Sequence, residues 1–142
     1  MDAVMSIEAL EAFLAETFPQ VADTFAVEEI TEAGIRMRLV VGEQHLRPGG
    51  TVSGPSMFGL ADVSVYLAIL SRIGPQALAV TTNCSIDFMR KPAAATDIVA
   101  ECTLLKLGRV LAVGDALLYS VGLSSPVARA TLTYSIPPKP AG

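Results

Sequence analysis

Residues 53–74 read SGPSMFGLADVSVYLAILSRIG, and they decide the fold. From Ser56 to about Ile73 the chain is apolar nearly all round, through Met57, Phe58, Leu60, Ala61, Val63, Val65, Tyr66, Leu67, Ile69 and Leu70. A helix with no polar face has to be enclosed on several sides. Pro55 suits the first position of that helix, and Gly74-Pro75 ends it.

The flanking segments supply the enclosure. Upstream, Ser6 caps a first helix running to about Phe18, with Ile7, Leu10, Phe13 and Leu14 on one face. Phe25 to Ile30 reads as a strand. A second strand alternates Ile35, Met37, Leu39 and Val41 against Arg36 and Arg38, with the turn at Glu32-Ala33-Gly34. Downstream, four strands are expected over Ala79–Met89, Thr96–Leu107, Val110–Ser120 and Pro126–Ile136, pairing antiparallel through short turns. The fold class is therefore α+β, an antiparallel sheet wrapped around a central buried helix. Residues 1–19 form an N-terminal helix packing on the domain, 20–136 form the domain, and 137–142 form a disordered tail.

Composition narrows the function. The chain has 142 residues and is 51% hydrophobic, enough for one core without disulfides or metal. Its net charge is -4 with scattered basic residues, which argues against nucleic acid as a partner. Cys84 and Cys102 lie far apart in apolar surroundings and read as buried, reduced thiols of a cytoplasmic protein. Glu8 and Glu11 give the N-terminus the wrong sign for a signal peptide. Mean hydropathy is high, +0.51. No run reaches the roughly 18 apolar residues of a membrane span, so the apolarity points to oligomerisation.

One residue stands out. Asp62 is the one charged group between Arg47 and Arg72, in the middle of the enclosed helix. Left unpaired there, an ionised carboxylate would cost several kcal/mol, which makes it either a functional group facing a cleft or an acceptor that fixes packing with backbone or Ser64. The helix start is a second candidate. Free amides of Gly54, Ser56 and Met57, backed by the helix dipole, would polarise a carbonyl, although Gly54-Pro55 also serves simply to begin a helix. Gly54 and Asp62 are eight residues apart, about 12 Å along a helix, too far to hold one carbonyl within a single chain. Acting together requires two antiparallel helices from two subunits related by a two-fold axis. No metal-ligand spacing is present, and no cofactor is implied.

The block Gly50-Thr51-Val52-Ser53-Gly54-Pro55 with Leu60-Ala61-Asp62 resembles the H-G-G…L-x-D motif of hotdog-fold thioesterases of the phenylacetate-pathway (PaaI-like) type. Asp87-Phe88-Met89-Arg90-Lys91-Pro92 and Lys106-Leu107-Gly108-Arg109-Val110-Leu111 look like that family's following strand end and next hairpin. The resemblance implies a hotdog fold, a homodimer or dimer of dimers, and an acyl-CoA substrate. By it, Asp62 is the nucleophile or base, Gly54 the oxyanion glycine, and Thr81 a hydroxyl that positions water. Asn83, Ser56 and the motif positions Ser53 and Pro55 are placed near the substrate, and Arg90, Lys91, Lys106 and Arg109 near the CoA phosphates. Solvated charge is the alternative for these four. Three positions depart from the pattern. Ser53 replaces the motif histidine, Pro55 the second glycine, and Arg47 an upstream Asn or Gln. Arg47 could meet an acidic acyl group, a CoA phosphate or a surface carboxylate. His45, the one histidine, precedes the motif. The departures leave a second reading, a non-catalytic protein that binds acyl-CoA or an acyl carrier.

Overall fold

In the computed structural model, which describes residues 1–138, two α-helices and six strands follow the expected order, with short 3-10 turns at Ala22–Thr24 and Glu43–His45. Ser6 accepts from the Ala9 amide and starts α1, Ile7–Thr17, whose Leu10 and Leu14 are buried in the common core. Strands β1 (Phe25–Ile30) and β2 (Gly34–Leu39) precede α2 (Gly54–Ile73). Four more follow: β3 (Val80–Phe88), β4 (Ile98–Leu107), β5 (Leu111–Ser120) and β6 (Ala128–Ser135). Pro137 and Pro138 carry no regular structure, and the rest of the expected tail lies outside the described residues.

All pairings are antiparallel, in the order β1-β2-β4-β5-β6-β3. This corrects one expectation. β3 and β4 are not neighbours, because the chain after Phe88 crosses the sheet and β3 pairs with β6 instead. Alternation along a strand specifies its faces but not its neighbour, since pairing is non-local.

The inner sheet face holds α2, with Leu60, Leu67, Ile69 and Leu70 at 0% exposure. Gly114 on β5 lets α2 approach, since a Cβ there would come within 2.8 Å of Val65 Cγ1. At the helix end the buried Arg72 guanidinium donates to Gly34 O at 2.9 Å and Ser71 Oγ at 2.7 Å, and also to Thr31 O and Glu32 O. It thereby ties α2 to the β1–β2 turn without a carboxylate.

Two expectations about α2 need correction. By length and composition it is apolar enough to cross a membrane, contrary to the count of apolar residues in the sequence, yet 67% of its most apolar stretch is buried within this fold. It is also incompletely enclosed. Phe58, Gly59, Asp62 and Val63 form a half-buried stripe that the chain's own sheet leaves open. The cysteines divide similarly, Cys102 buried and Cys84 half-buried.

Candidate active site

Asp62 is neither fully buried nor unpaired. Its Oδ1 accepts hydrogen bonds from Thr81 Oγ1 and from Tyr134 Oη, both at 2.7 Å, while Oδ2 has no hydrogen-bond partner among the described residues. The expected packing partner, Ser64, is engaged elsewhere and donates to Leu60 O at 2.6 Å. One carboxylate oxygen is thus held and the other is available. Asp62 opens onto a cavity of about 280 Å³, walled largely by apolar groups that include Leu14, Phe18, Val63, Tyr66 and Val80.

A break in β3 brings Thr81 to the carboxylate. Strict alternation from Cys84 would place Thr81 on the outer face with Asn83 and Ser85. The register shifts between Thr81 and Asn83, so Thr82 is an extra residue opposite β6. Thr81 consequently turns inward, and Thr82 and Asn83 are both exposed. Asn83 is therefore absent from the Asp62 cavity, and the strand explains why two residues predicted together are parted.

Tyr134 did not emerge from the sequence. On β6 it follows the inward series Ala128, Ala130 and Leu132, and a phenol on an otherwise apolar face was the available signal. It is 3% exposed, and burial together with the Asp62 charge pushes its hydroxyl well above the usual tyrosine range, which keeps it a donor.

The start of α2 is built by a tight hairpin. Ser53 N donates to His45 O at 2.8 Å, Leu46 and Val52 form a bridge, and Arg47 N donates to Thr51 O at 2.9 Å. His45 Nδ1 accepts from Gly42 N at 2.8 Å, a local structural role. Ser53, which stands at the motif histidine position, is the helix cap and Gly54 the first helical residue, one earlier than expected. The amides expected to be free are reduced to one. Ser56 N donates to Ser53 Oγ and Met57 N to Ser53 O, while Pro55 has none to give. The Gly54 amide has no partner among the described residues. Ser53 and Ser56 also bond to each other through their hydroxyls, at 2.9 Å.

Gly54 opens onto a second cleft, about 660 Å³, with Arg47, Arg90, Lys91, Met57 and Phe88 in its walls. A Cβ at Gly54 would meet Phe88 Cζ at 3.2 Å. Ser53, Pro55 and Ser56 do not line this cleft, so of the residues placed near the substrate by the motif only Arg47 and Gly54 do. Arg90 Nε donates to Pro126 O at 3.0 Å. Lys106 and Arg109 are not part of one cluster with Arg90 and Lys91. Register runs from Phe88 through Ala128 and Leu118 to Ala100 at one end of the sheet, and from Val80 through Ser135 and Leu111 at the other, where Lys106 and Arg109 lie.

Within one chain, Gly54 and Asp62 therefore face different cavities. No group of three His, Cys, Asp or Glu side chains suited to a metal occurs among the described residues.

The family model of the thioesterase superfamily matches residues 49–125 of this chain. A crystal structure of a Silicibacter sp. TM1040 protein, provisionally described as a thioesterase, is 58% identical, with a TM-score of 0.91 over 97% of this chain and 96% of that one. A mutant of the phenylacetic acid degradation protein PaaI from Thermus thermophilus is 26% identical, with a TM-score of 0.71 over 84% of this chain and 99% of its own. Zebra fish thioesterase superfamily member 2 shares the fold at 21% identity and a TM-score of 0.81, over 94% and 99% of the two chains. No curated protein sequence matches.

Proposed function

Because the chain belongs to the thioesterase superfamily and has its hotdog fold, we propose that it hydrolyses an acyl-CoA thioester in a site shared by two copies of the chain. The observation that carries this reading is Asp62, a carboxylate with one oxygen held by two hydroxyls and the other free beside an apolar cavity. The acyl group occupies that cavity. The thioester carbonyl lies against the Gly54 amide of the second copy, at the positive end of α2. CoA phosphates meet Arg47, Arg90 and Lys91 in the adjoining cleft.

In the reaction, Asp62 Oδ2 takes a proton from water as the water oxygen adds to the carbonyl carbon, or it adds to that carbon itself. Either course needs the ionised carboxylate. Negative charge gathers on the carbonyl oxygen, where the Gly54 amide donates to it. The carbon–sulfur bond then breaks. When water has added, the CoA thiolate takes the proton held on Asp62, and the carboxylic acid and free CoA leave. When Oδ2 has added itself, the thiolate takes a proton from solvent and CoA leaves first; water then hydrolyses the resulting anhydride, which returns that proton, releases the carboxylic acid and restores the Asp62 carboxylate. The half-buried stripe at Gly59, Asp62 and Val63 is where a second α2 would lie. A cytoplasmic setting, with both thiols free, suits a CoA ester.

The test is release of free CoA from a panel of acyl-CoAs, comparing wild type with Asp62→Asn. We expect turnover to fall about 10²–10⁴-fold with acyl-CoA affinity largely kept. Wild-type turnover in the variant would remove Asp62 from the chemistry. The reading as a binder without hydrolysis has one observation in its favour, the single unoccupied amide at the helix start. Tight acyl-CoA binding by wild type with no CoA released from any ester would establish it.

A further inference from the structure

Thr81 and Tyr134 are direct cross-strand partners in the β3–β6 ladder, at the last position before the register shift. Both hydroxyls converge on the same oxygen of a helix residue, Asp62 Oδ1, at 2.7 Å each. Tyr134 Oη also lies 3.2 Å from the Asp62 carbonyl oxygen, so it contacts the backbone and side chain of one residue. Its ring is stacked on Tyr66 of α2, with centroids 5.8 Å apart and planes at 26°. The stacking fixes the ring, and the ring fixes the hydroxyl.

We infer that Tyr134 is a positioning residue for the reaction, whose hydroxyl acts with that of Thr81 to fix one oxygen of Asp62 and turn the other toward the substrate. This rests on the reading of Asp62 as the reactive carboxylate. Two donors on one oxygen restrain the carboxylate's rotation beside the apolar cavity. Tyr134 is suited to the task because burial first, and the Asp62 charge second, keep its phenol protonated. The other titratable groups close to Asp62 are neutral donors too. Cys84 on β3 has its thiol pushed up by burial and by the Asp62 charge, and Tyr66 on α2 has its phenol pushed up by burial. From the α1 side the cavity wall is apolar, through Leu14, Phe18 and Val21. Among the described residues no Lys or Arg lines this cavity, so hydrogen bonding carries the task.

The experiment is Tyr134→Phe, which keeps the ring and its stacking on Tyr66 and removes the donor. With the CoA ester that wild type hydrolyses best, kcat should fall about tenfold while KM stays within about twofold. Incorporating 3-fluorotyrosine at position 134 keeps the ring and gives a stronger hydroxyl donor, and should change kcat while leaving KM in place. That second protein also decides the matter if Tyr134→Phe folds poorly. A residue that merely packs would leave kcat in place in both. Wild-type kcat in both, with Asp62→Asn inactive, overturns this inference alone. Full turnover by Asp62→Asn overturns the reading beneath it.

Discussion

Thr81 Oγ1 and Asp62 Oδ1 are 2.7 Å apart, a bond from an edge strand of the sheet to the helix at its centre. Thr81→Val keeps the β-branched shape that suits a strand and removes the donor. We expect kcat to fall about tenfold, in line with loss of one hydrogen bond to a charged group, and Thr81→Ser to restore most of it. Rates of CoA release for the two variants, measured beside their melting curves, check this. Equal activity in Val and Ser would show that the hydroxyl does not matter.

Asp62→Ala and Gly54→Pro test whether the site is shared. Gly54→Pro deletes the free amide. Ser53 before it is already extended (φ -73°, ψ 155°), as a residue before proline requires, and melting curves check that position 54, helical and followed by Pro55, takes the ring. Each homodimer should be nearly inactive. After mixing, denaturation and refolding, random pairing makes about half the dimers hybrids, each with one whole site of two, so about a quarter of the original activity should return. Gly54→Ala is the steric control, since the nearest atoms its Cβ would meet belong to the half-exposed Phe88 ring. Absence of recovery in demonstrably mixed, folded dimers would confine the chemistry to a single chain.

The cleft beside Gly54 gathers Arg47, Arg90 and Lys91. Replacing Arg47 and Lys91 by Gln should raise KM for a CoA ester about tenfold at low salt and have little effect at high salt, where screening already weakens such contacts. The comparison is Lys106→Gln with Arg109→Gln, at the far end of the sheet. A KM unchanged there would confirm that those two are surface charge. A matching rise would mean that the far end of a second subunit reaches the cleft.

Cys102 gives a pH prediction. Burial first, with the Asp115 charge in the same direction and Arg72 opposing, pushes its thiol from the ordinary 9.0 up to about 12. The folded chain thus holds this proton more tightly than the unfolded chain. Its contribution to stability is complete below about pH 9 and is lost as the pH rises toward 12. Urea melts from pH 7 to 11 should show stability falling above pH 9, and Cys102→Ala should fall less steeply over that range. In the native protein a thiol reagent should find the half-buried Cys84 before Cys102.

Much of this molecule could be read from one dimension. The apolar run around Asp62 specified the enclosed helix, and β1 begins at Phe25 and ends at Ile30 as its composition suggested. The carboxylate and the Gly54 amide, the two groups most foreign to an apolar helix, were legible for that reason. What escaped depends on partners distant in the chain. β3 lies beside β6 rather than β4, a choice that alternation along β3 does not encode. Tyr134 joins Asp62 across 72 residues of chain. The four basic residues that the resemblance places near the CoA phosphates all lie at strand ends, and antiparallel strands put the ends of β3 and β4 at opposite ends of the sheet. The amides at the helix start were overcounted because Ser53, read as a replaced motif position, is also a good cap.

Among the described residues β3 has one neighbour, β6, so its other rim is an open row of amides and carbonyls. Such rims recruit strands from other molecules indiscriminately, and this one has the exposed Val80 and Phe88 near its ends. Zipping requires an unbroken alternation of donors and acceptors, and the extra residue at Thr82 interrupts it. A bulge on an edge strand bends and twists the rim, so the even stretch here is the one from Asn83 to Phe88. The single added residue that points a hydroxyl at a carboxylate thus also breaks the flatness of an exposed rim, a feature that works against open-ended aggregation.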